Sequence, residues 1–338
     1  MSYLSKIFND IVKDFDKEEY RNQSLLSRRF ALDNDIIFIA YYNNVKKIKE
    51  LSIKINKNFN KEVISKYPEW SGISVMVSEI ENGPDKGIYL SFAQLDNLDE
   101  NIYVAVLDDI IENIKVIKGG EHLINTVGKV LVKWKQFFKI HNELIMSDIK
   151  QQGLYSELIF LKKLINIYGE KALNCWSGCN SETHDFYIMG NAIEIKSTSS
   201  NEANSVTISN EYQLDSKDVT GTLYLMFMSL RKSLSDGQTL PNIVEEISSK
   251  LEQGTSLEVF EEKLFNYGYL LRKPELYKFG FNERETKYYE ICNEFPSITK
   301  YKLANGISNV SYKLSLNTCE KYLVLEGNVI RNNEGGII

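Results

Sequence analysis

The chain has 338 residues, of which 43% are hydrophobic and 12% aromatic, and its formal net charge is -6. This composition excludes a disordered chain, and the length predicts two domains, each able to bury its own core. With no apolar run of about 18 residues, no signal-peptide core and only four cysteines, we expect a cytoplasmic protein without a membrane span or a disulfide scaffold.

The first part of the chain, residues 1–145, is predicted to be an α+β domain with an antiparallel sheet. Helical periodicity and apolar runs separated by turn residues define its elements. They are a helix at 3–20, strands at 36–41, 48–55, 73–77 and 88–92, and helices at 100–116 and 121–141. This domain is a candidate for binding DNA or a protein partner.

A basic stretch lies within this first domain. Seven lysines fall between residues 46 and 66, against only two glutamates. Such a stripe on an acidic protein could contact phosphates, and Lys46, Lys47 and Lys49 are the candidate nucleic-acid-binding residues. The alternative is a solvated, lysine-rich edge that discourages strand pairing.

A strong amphipathic pattern predicts a helix over residues 148–168. Its apolar residues are Ile149, Leu154, Leu158, Leu161, Ile165 and Tyr168. Glu157 falls on the same face, where a carboxylate costs free energy unless it is paired or bound to a metal ion. Glu157 is therefore a candidate functional residue. The alternative is that it lies at the edge of the apolar face and reaches water.

The stretch from Asp185 to Lys196 predicts a β-hairpin. Gly190 and Asn191 both tolerate positive φ, so we expect them to form a two-residue turn. Glu194 and Lys196 lie two residues apart on the returning strand and therefore share one face. Asp185 begins the first strand, which brings its carboxylate near Glu194. Adjacent carboxylates need a cation between them, and hard oxygen ligands suit Mg²⁺.

The rest of the chain, residues 146–338, continues a mixed pattern of helices and strands. The predicted elements are strands at 206–209, 223–228 and 310–316 and helices at 243–251 and 257–265. The run at 223–228 is continuously apolar, which predicts a buried central strand. This order of elements is compatible with a mixed sheet.

The pattern of Asp185, Glu194 and Lys196, with Glu157 on an upstream helix, resembles the motif of the PD-(D/E)XK nuclease superfamily. His184 replaces the proline of the motif's name. The resemblance implies an α/β fold, α+β overall, in which a restriction-endonuclease-like mixed-sheet core follows the N-terminal α+β domain. The nuclease-like domain would span residues 146–338 and include a C-terminal strand extension.

Further matches spread along almost the whole chain. They are Trp134, Phe137, Phe138, Gly153-Leu154, Ser156-Glu157-Leu158, His184-Asp185-Phe186, Glu194-Ile195-Lys196, Gln213-Leu214, Phe295-Pro296, Gly306-Ile307 and Val310-Ser311-Tyr312. This set resembles a bacterial family usually called the PD-(D/E)XK motif protein, encoded beside DNA methyltransferases, Z1-type ATPases and MutL-like ATPases in anti-phage loci. The resemblance implies DNA as substrate and those proteins as partners.

The resemblance also implies the roles of the site residues. Asp185, Glu194 and the backbone carbonyl of Ile195 would hold Mg²⁺, with Mn²⁺ as a substitute ion. Glu157 would bind the same ion or a second one. Lys196 would orient the attacking water and offset charge on the transition state. Cutting both strands with one site per chain predicts a homodimer.

Three functions therefore remain open at the level of sequence. The first is a Mg²⁺-dependent DNA endonuclease of a restriction or anti-phage defence system. The second is a nuclease-fold subunit that binds DNA or a partner and cuts little alone, which the acidic net charge favours. The third is an unrelated α+β interaction protein in which the motif is accidental. Fold analogy alone does not establish activity.

Overall fold

The computed structural model describes residues 2–68, 72–95, 99–117, 122–141, 145–180, 182–201, 204–252 and 254–330. Helices and strands follow one another along the chain, and the strands form antiparallel and mixed sheets. This confirms the predicted α+β fold. The chain contacts form two compact units, Met1–Leu144 and Ile145–Ile338. The residues just before the predicted boundary at 145, residues 142–144, lie outside the described residues. Across the described ranges, no helix has both the length and the apolar character needed to cross a membrane.

The N-terminal unit packs helices against one antiparallel sheet. Its elements are α1 (Tyr3–Asp14), β1 (Leu25–Ala31), β2 (Ile37–Asn43), β3 (Ile48–Ile55), α2 (Lys61–Ser65), β4 (Ile73–Ile80), β5 (Gly87–Gln94), α3 (Glu100–Lys115) and α4 (Leu123–Ile140). The strand order is β1-β2-β3-β5-β4. These positions confirm the predicted strands and the two later helices, although residue 121 of the last predicted helix lies outside the described residues.

Two features of this unit differ from prediction. Helix α1 ends at Asp14 rather than near residue 20, because its buried residues end at Ile11 and most of the residues that follow are charged. Strand β1 was not predicted. It pairs with β2 at the sheet edge and contains no fully buried residue, so its sequence lacks the apolar run that marks the other strands.

The lysine stretch does not form one continuous surface. Lys46 and Lys47 are exposed in the turn between β2 and β3. Lys49 instead lies on β3 with only 3% of its surface exposed, and its ammonium pairs with Glu100 and lies 5.6 Å from the centre of the Phe8 ring. The structure therefore separates Lys49 from the exposed pair, and of the three candidate residues only Lys46 and Lys47 remain available for phosphate contact.

The second unit is built on a mixed sheet. Its elements are α5 (Asp148–Tyr168), β6 (Phe186–Ile188), β7 (Asn191–Thr198), β8 (Ser205–Ile208), β9 (Leu223–Ser233), β10 (Gln238–Thr239), α6 (Leu240–Ser248), α7 (Thr255–Tyr267), β11 (Gly280–Ile291), β12 (Tyr312–Ser315), β13 (Leu323–Val324) and α8 (Glu326–Val329). The strand order is β10-β11-β9-β7-β6, with β13 also pairing β11, and β12 pairs β8 separately. Only β7 and β9 pair in parallel among the described strands.

Strand β9 is central and its first eight residues are buried, which confirms the predicted buried strand. Helix α5 packs beside the sheet and has the bounds that its sequence pattern predicts. Its start is fixed by Ser147, whose side chain accepts a hydrogen bond from the Lys150 backbone N–H, and its end by Gly169, which adopts φ 68°. The buried face of α5 then points Glu157 inward.

The turn of the β6–β7 hairpin lies one residue earlier than predicted. Met189 and Gly190 occupy it, with φ of 48° and 85°, whereas Asn191 already pairs with Ile188. The side-chain Oδ1 of Asn191 accepts a hydrogen bond from the Thr222 N–H at 2.8 Å, so this residue ties the hairpin to the chain entering β9. A long-range contact therefore overrides the local turn preference of Asn191.

Candidate active site

The β6–β7 hairpin brings Asp185 opposite Glu194. Phe186 pairs with Ile193, so the residue before β6 faces the next residue of β7. Asp185 Oδ2 accepts a hydrogen bond from the Ile195 backbone N–H at 2.7 Å. The Asp185 carbonyl accepts further bonds from the backbone of the preceding turn, at 2.8 and 3.0 Å. Both the main chain and the side chain of Asp185 are thus fixed at this end of the sheet.

Lys196 lies beside Glu194, as the two-residue spacing on β7 predicts. Its Nζ is 2.9 Å from Glu194 Oε1 and also donates to Gln213 Oε1 at 2.9 Å. Gln213 Oε1 in turn accepts from the Ser209 N–H at 2.8 Å. Burial lowers the pKa of Lys196, but the Glu194 and Asp185 carboxylates outweigh it and hold that pKa above the ordinary value. Lys196 is therefore a cation at neutral pH.

Glu157 reaches the same region from α5. It is 5% exposed, so it does not lie at a solvent edge, and that alternative is wrong. Its Oε2 accepts a hydrogen bond from the Trp176 indole N–H at 2.7 Å, and its Oε1 accepts from the Tyr267 hydroxyl at 2.7 Å. Two aromatic donors from distant parts of the unit thus hold the carboxylate in place.

Gly178, in the turn before β6, lies next to the carboxylates of both Glu157 and Asp185. A Cβ at this position would lie 2.7 Å from Glu157 Oε2 and 2.9 Å from Asp185 Oδ1. Both carboxylates therefore approach the same small space, which only a residue without a side chain leaves open. Residue spacing alone does not identify this role for Gly178, because the atoms that it accommodates come from two other segments.

Replacing Gly178 with alanine should therefore disturb the site more than the fold. We expect the methyl group to push the Glu157 and Asp185 carboxylates apart and to weaken Mn²⁺ binding, measured by calorimetric titration. Gly327→Ala is the matched control, because a Cβ at Gly327 would meet nothing within 4 Å in the part of the chain that the structure describes. Equal Mn²⁺ affinity in the wild type and in Gly178→Ala would contradict this role for the glycine.

The site carries more negative charge than its single lysine balances. Burial and, to a smaller extent, the neighbouring Glu194 carboxylate raise the pKa of Glu157 to about 7. Burial, together with Glu194 and Glu157, also raises the pKa of Asp185 well above its ordinary value. Three carboxylates that lie this close cannot all be ionised cheaply without added positive charge.

The pKa of Glu157 predicts how the stability of the metal-free protein depends on pH. In the unfolded chain this group ionises near 4.5, and in the folded protein near 7. Its contribution to stability is therefore complete below about pH 4.5 and is lost as the pH rises through about 7. At about 1.4 kcal/mol per pKa unit, the loss is on the order of 3 kcal/mol.

Glu157→Gln should remove this part of the pH dependence. The amide oxygen can accept from Trp176 while the amide N–H donates to the Tyr267 oxygen, so the buried contacts are kept. We expect the variant to be more stable than the wild type at pH 8 in chelator and similar at pH 4.5, by urea unfolding. Glu246→Gln, at an exposed carboxylate, is the control. Parallel stability curves for wild type and Glu157→Gln would refute the prediction.

The donor set fits a hard divalent cation, although the ligands are not assembled around one point. Within the described ranges, no three His, Cys, Asp or Glu side chains are close enough together to hold a metal ion. Asp185, Glu194 and the Ile195 carbonyl supply oxygen donors of the kind that Mg²⁺ and Mn²⁺ prefer. Both Glu157 oxygens are engaged by Trp176 and Tyr267, so Glu157 would contribute through a remaining lone pair or through water.

His184 occupies the position of the motif's proline. Its side chain is 2% exposed, and its Nδ1 lies 3.8 Å from Glu194 Oε2. This nitrogen has no hydrogen-bond partner among the residues that the structure describes. His184 thus extends the polar site on the side of Glu194 away from Lys196.

One known protein family matches most of the chain. Residues 13–317 match the family model described as "Putative PD-(D/E)XK family member, (DUF4420)". The chain belongs to the DUF4420 family. The match spans both compact units of this DUF4420 chain and includes all four acidic and basic residues of the site. Searches of curated proteins and of solved structures give no significant match.

Membership in DUF4420 confirms the resemblance to the PD-(D/E)XK superfamily, which usually comprises nucleases that use divalent metal ions. The structure adds neighbours that the motif does not contain. Trp176, Gly178, Gln213 and Tyr267 each contact or make room for a motif residue. Of these four residues, only Gln213 is among the residues that carry the family resemblance, and the resemblance did not predict its contact with Lys196.

Proposed function

We propose that the chain is a Mg²⁺-dependent DNA endonuclease, which hydrolyses phosphodiester bonds in a bacterial restriction or anti-phage defence system. The observation that carries this proposal is the convergence of Asp185, Glu194 and Lys196. Asp185 is anchored on the Ile195 N–H, and Lys196 Nζ lies 2.9 Å from Glu194. Family membership supports the nuclease class, and the defence role rests on resemblance.

The residues of the site would have different roles. Asp185, Glu194 and the Ile195 carbonyl would hold Mg²⁺, and Glu157 would support them from α5. A bound ion supplies Lewis-acid polarisation of the phosphate and acidifies a water molecule. Lys196 uses two of its three N–H groups on Glu194 and Gln213, which leaves one to orient water or the phosphoryl oxygen. Because Lys196 is charged, it acts as a donor and not as a base.

Plasmid cleavage tests the proposal directly. Purified protein is incubated with supercoiled plasmid and with phage DNA in Mg²⁺ or Mn²⁺, and nicked and linear products are separated on a gel. We expect products with wild type and none with chelator or with the site variants considered below. Cleavage that survives all site variants would show a contaminating nuclease and refute the assignment.

A second candidate is a nuclease-fold subunit that cuts weakly alone. Glu157 favours this candidate, because both of its carboxylate oxygens accept hydrogen bonds from Trp176 and Tyr267. The acidic side chains that the structure describes therefore do not surround a single metal position. This subunit would need DNA or partner proteins to complete its site, such as a DNA methyltransferase or a Z1-type or MutL-like ATPase. Cleavage only after such partners are added would select this candidate, as would activity only in a homodimer.

The exposed pair Lys46 and Lys47 gives a separate prediction about DNA binding. Changing both to glutamate should weaken binding and reduce its salt dependence by about two phosphate contacts, each worth a slope of roughly 0.9 in log–log units. Fluorescence anisotropy at several salt concentrations measures the slope. Glutamate at both Lys13 and Lys17, which are exposed in the same unit, is the charge-matched control. An unchanged slope would support the alternative that Lys46 and Lys47 belong to a solvated edge without a role in DNA binding.

A further inference from the structure

A small cavity opens beside the candidate active site. Its volume is about 170 Å³, below the ~300–1,000 Å³ of pockets for drug-sized ligands. His184 lines it, and the Nδ1 of this buried ring, which has no hydrogen-bond partner among the described residues, lies 3.8 Å from Glu194 Oε2. The cavity therefore starts within reach of the reacting centre and has room for one small planar group.

Aromatic rings and cations form its walls. Tyr187, Tyr212 and Tyr301 line the cavity and are 38%, 41% and 65% exposed. The Lys217 ammonium lies 3.7 Å from the centre of the Tyr301 ring, and that of Lys300 lies 5.4 Å from the centre of Tyr212. Partly exposed tyrosines with adjacent lysines are the combination on which single-stranded nucleic acids stack their bases.

The charge of the cavity is balanced. Asp215 and Asp218 line it together with Lys217 and Lys300, so two negative groups offset two positive ones. A phosphate would gain little in such surroundings, because the aspartates repel it. A nucleobase is uncharged and offers a flat face to the tyrosines. Its N–H groups can donate hydrogen bonds to carboxylates.

The chain ties this cavity to the catalytic lysine. Tyr212 directly precedes Gln213, whose Oε1 accepts from Lys196 Nζ. The same turn is fixed by Asn210, which accepts from the Tyr212 N–H, and by the buried Glu211, which accepts from the Val310 N–H at 2.9 Å. The aromatic wall and the catalytic ammonium are therefore held by one ordered segment.

We propose that this cavity binds a single nucleobase, extruded from the strand whose phosphate lies at Asp185 and Glu194. The proposal deepens the nuclease function and rests on it. Extruding a base requires unstacking, which costs least where the base is unpaired. The preferred substrate is accordingly DNA that is single-stranded or carries an unpaired base near the cut.

Binding without metal tests the cavity independently of cleavage. Two labelled oligonucleotides of about 12 nucleotides, one of thymidines and one abasic throughout, carry the same phosphates and differ only in their bases. Fluorescence anisotropy in chelator should show wild type binding the thymidine strand roughly tenfold more tightly, the effect of one aromatic stacking partner. Tyr212→Ala should lose this preference and Tyr212→Phe should keep it, because phenylalanine retains the ring.

Two controls separate base contact from charge. Lys300→Ala removes a charge but no stacking surface, so it should change the affinity for both strands by the same factor while the base preference persists. Tyr3→Ala, at an exposed tyrosine of the N-terminal unit, should change neither. Equal binding of the two strands by wild type, a preference that survives Tyr212→Ala, or no binding of either strand would each overturn the base site. A clear base preference in a protein that cuts no DNA would instead contradict the proposed endonuclease.

Discussion

Lys196→Met is expected to reduce DNA cleavage by at least about 100-fold, the usual cost of losing one donor that faces transition-state charge. Methionine keeps the apolar stem and removes the ammonium that lies 2.9 Å from both Glu194 Oε1 and Gln213 Oε1. The ammonium also competes with any other cation for Glu194. Its loss should therefore leave Mn²⁺ affinity unchanged or raise it, which separates a catalytic donor from a metal ligand.

Initial rates of plasmid nicking and calorimetric Mn²⁺ titration measure these two effects. The matched control is Lys232→Met, because Lys232 stands on β9 of the same sheet and also pairs with a carboxylate, that of Asp148 at 2.9 Å. Circular dichroism checks that both variants fold. A Lys196→Met protein that nicks at the wild-type rate would remove this lysine from the reaction.

Asp185→Asn should abolish cleavage and lower Mn²⁺ affinity by more than about tenfold, the lower end of what even outer-sphere changes cost at metal sites. The substitution keeps the shape of the side chain, and its amide oxygen can still accept from the Ile195 N–H. What it removes is a negative charge beside Glu194 and Glu157. The variant thus tests charge and metal binding without removing the bond that anchors the β6–β7 hairpin.

The stability of Asp185→Asn provides a second readout. The raised pKa of Asp185 in the folded protein means that its contribution to stability is lost as the pH rises above the ordinary value. Asparagine does not ionise, so the metal-free variant should be at least as stable as wild type at neutral pH. Asp148→Asn, at an exposed carboxylate, should show neither effect. A variant that binds Mn²⁺ normally, or that is less stable at neutral pH, would contradict the assignment of Asp185.

Sequence reasoning succeeded where the information is local. The two-residue period of a strand placed Glu194 and Lys196 on one face, and helical periodicity gave the bounds of α5 and the inward position of Glu157. The continuous apolar run predicted β9 as the central strand. Each of these features follows from a residue pattern within a single segment.

The structural features that the sequence did not predict depend on contacts between distant segments. Tyr267 lies 110 positions from Glu157, to which it donates, and no spacing rule links the two. Strand β1 is recognised only by its pairing with β2, and the hairpin turn moved to Met189 because Asn191 bonds Thr222. Lys49 reads as a surface charge in the sequence, but its partner Glu100 comes from α3.

The parallel pairing of β7 with β9 has a consequence for the order in which the chain folds. In the N-terminal unit most paired strands are sequence neighbours, so this sheet can close soon after β5 leaves the ribosome. In the second unit β9 needs both β7 and the late strand β11, and Glu157 waits for Tyr267 at the end of α7. The acidic centre is therefore among the last parts to form, so a chain whose synthesis stops before α7 carries the motif without an assembled site.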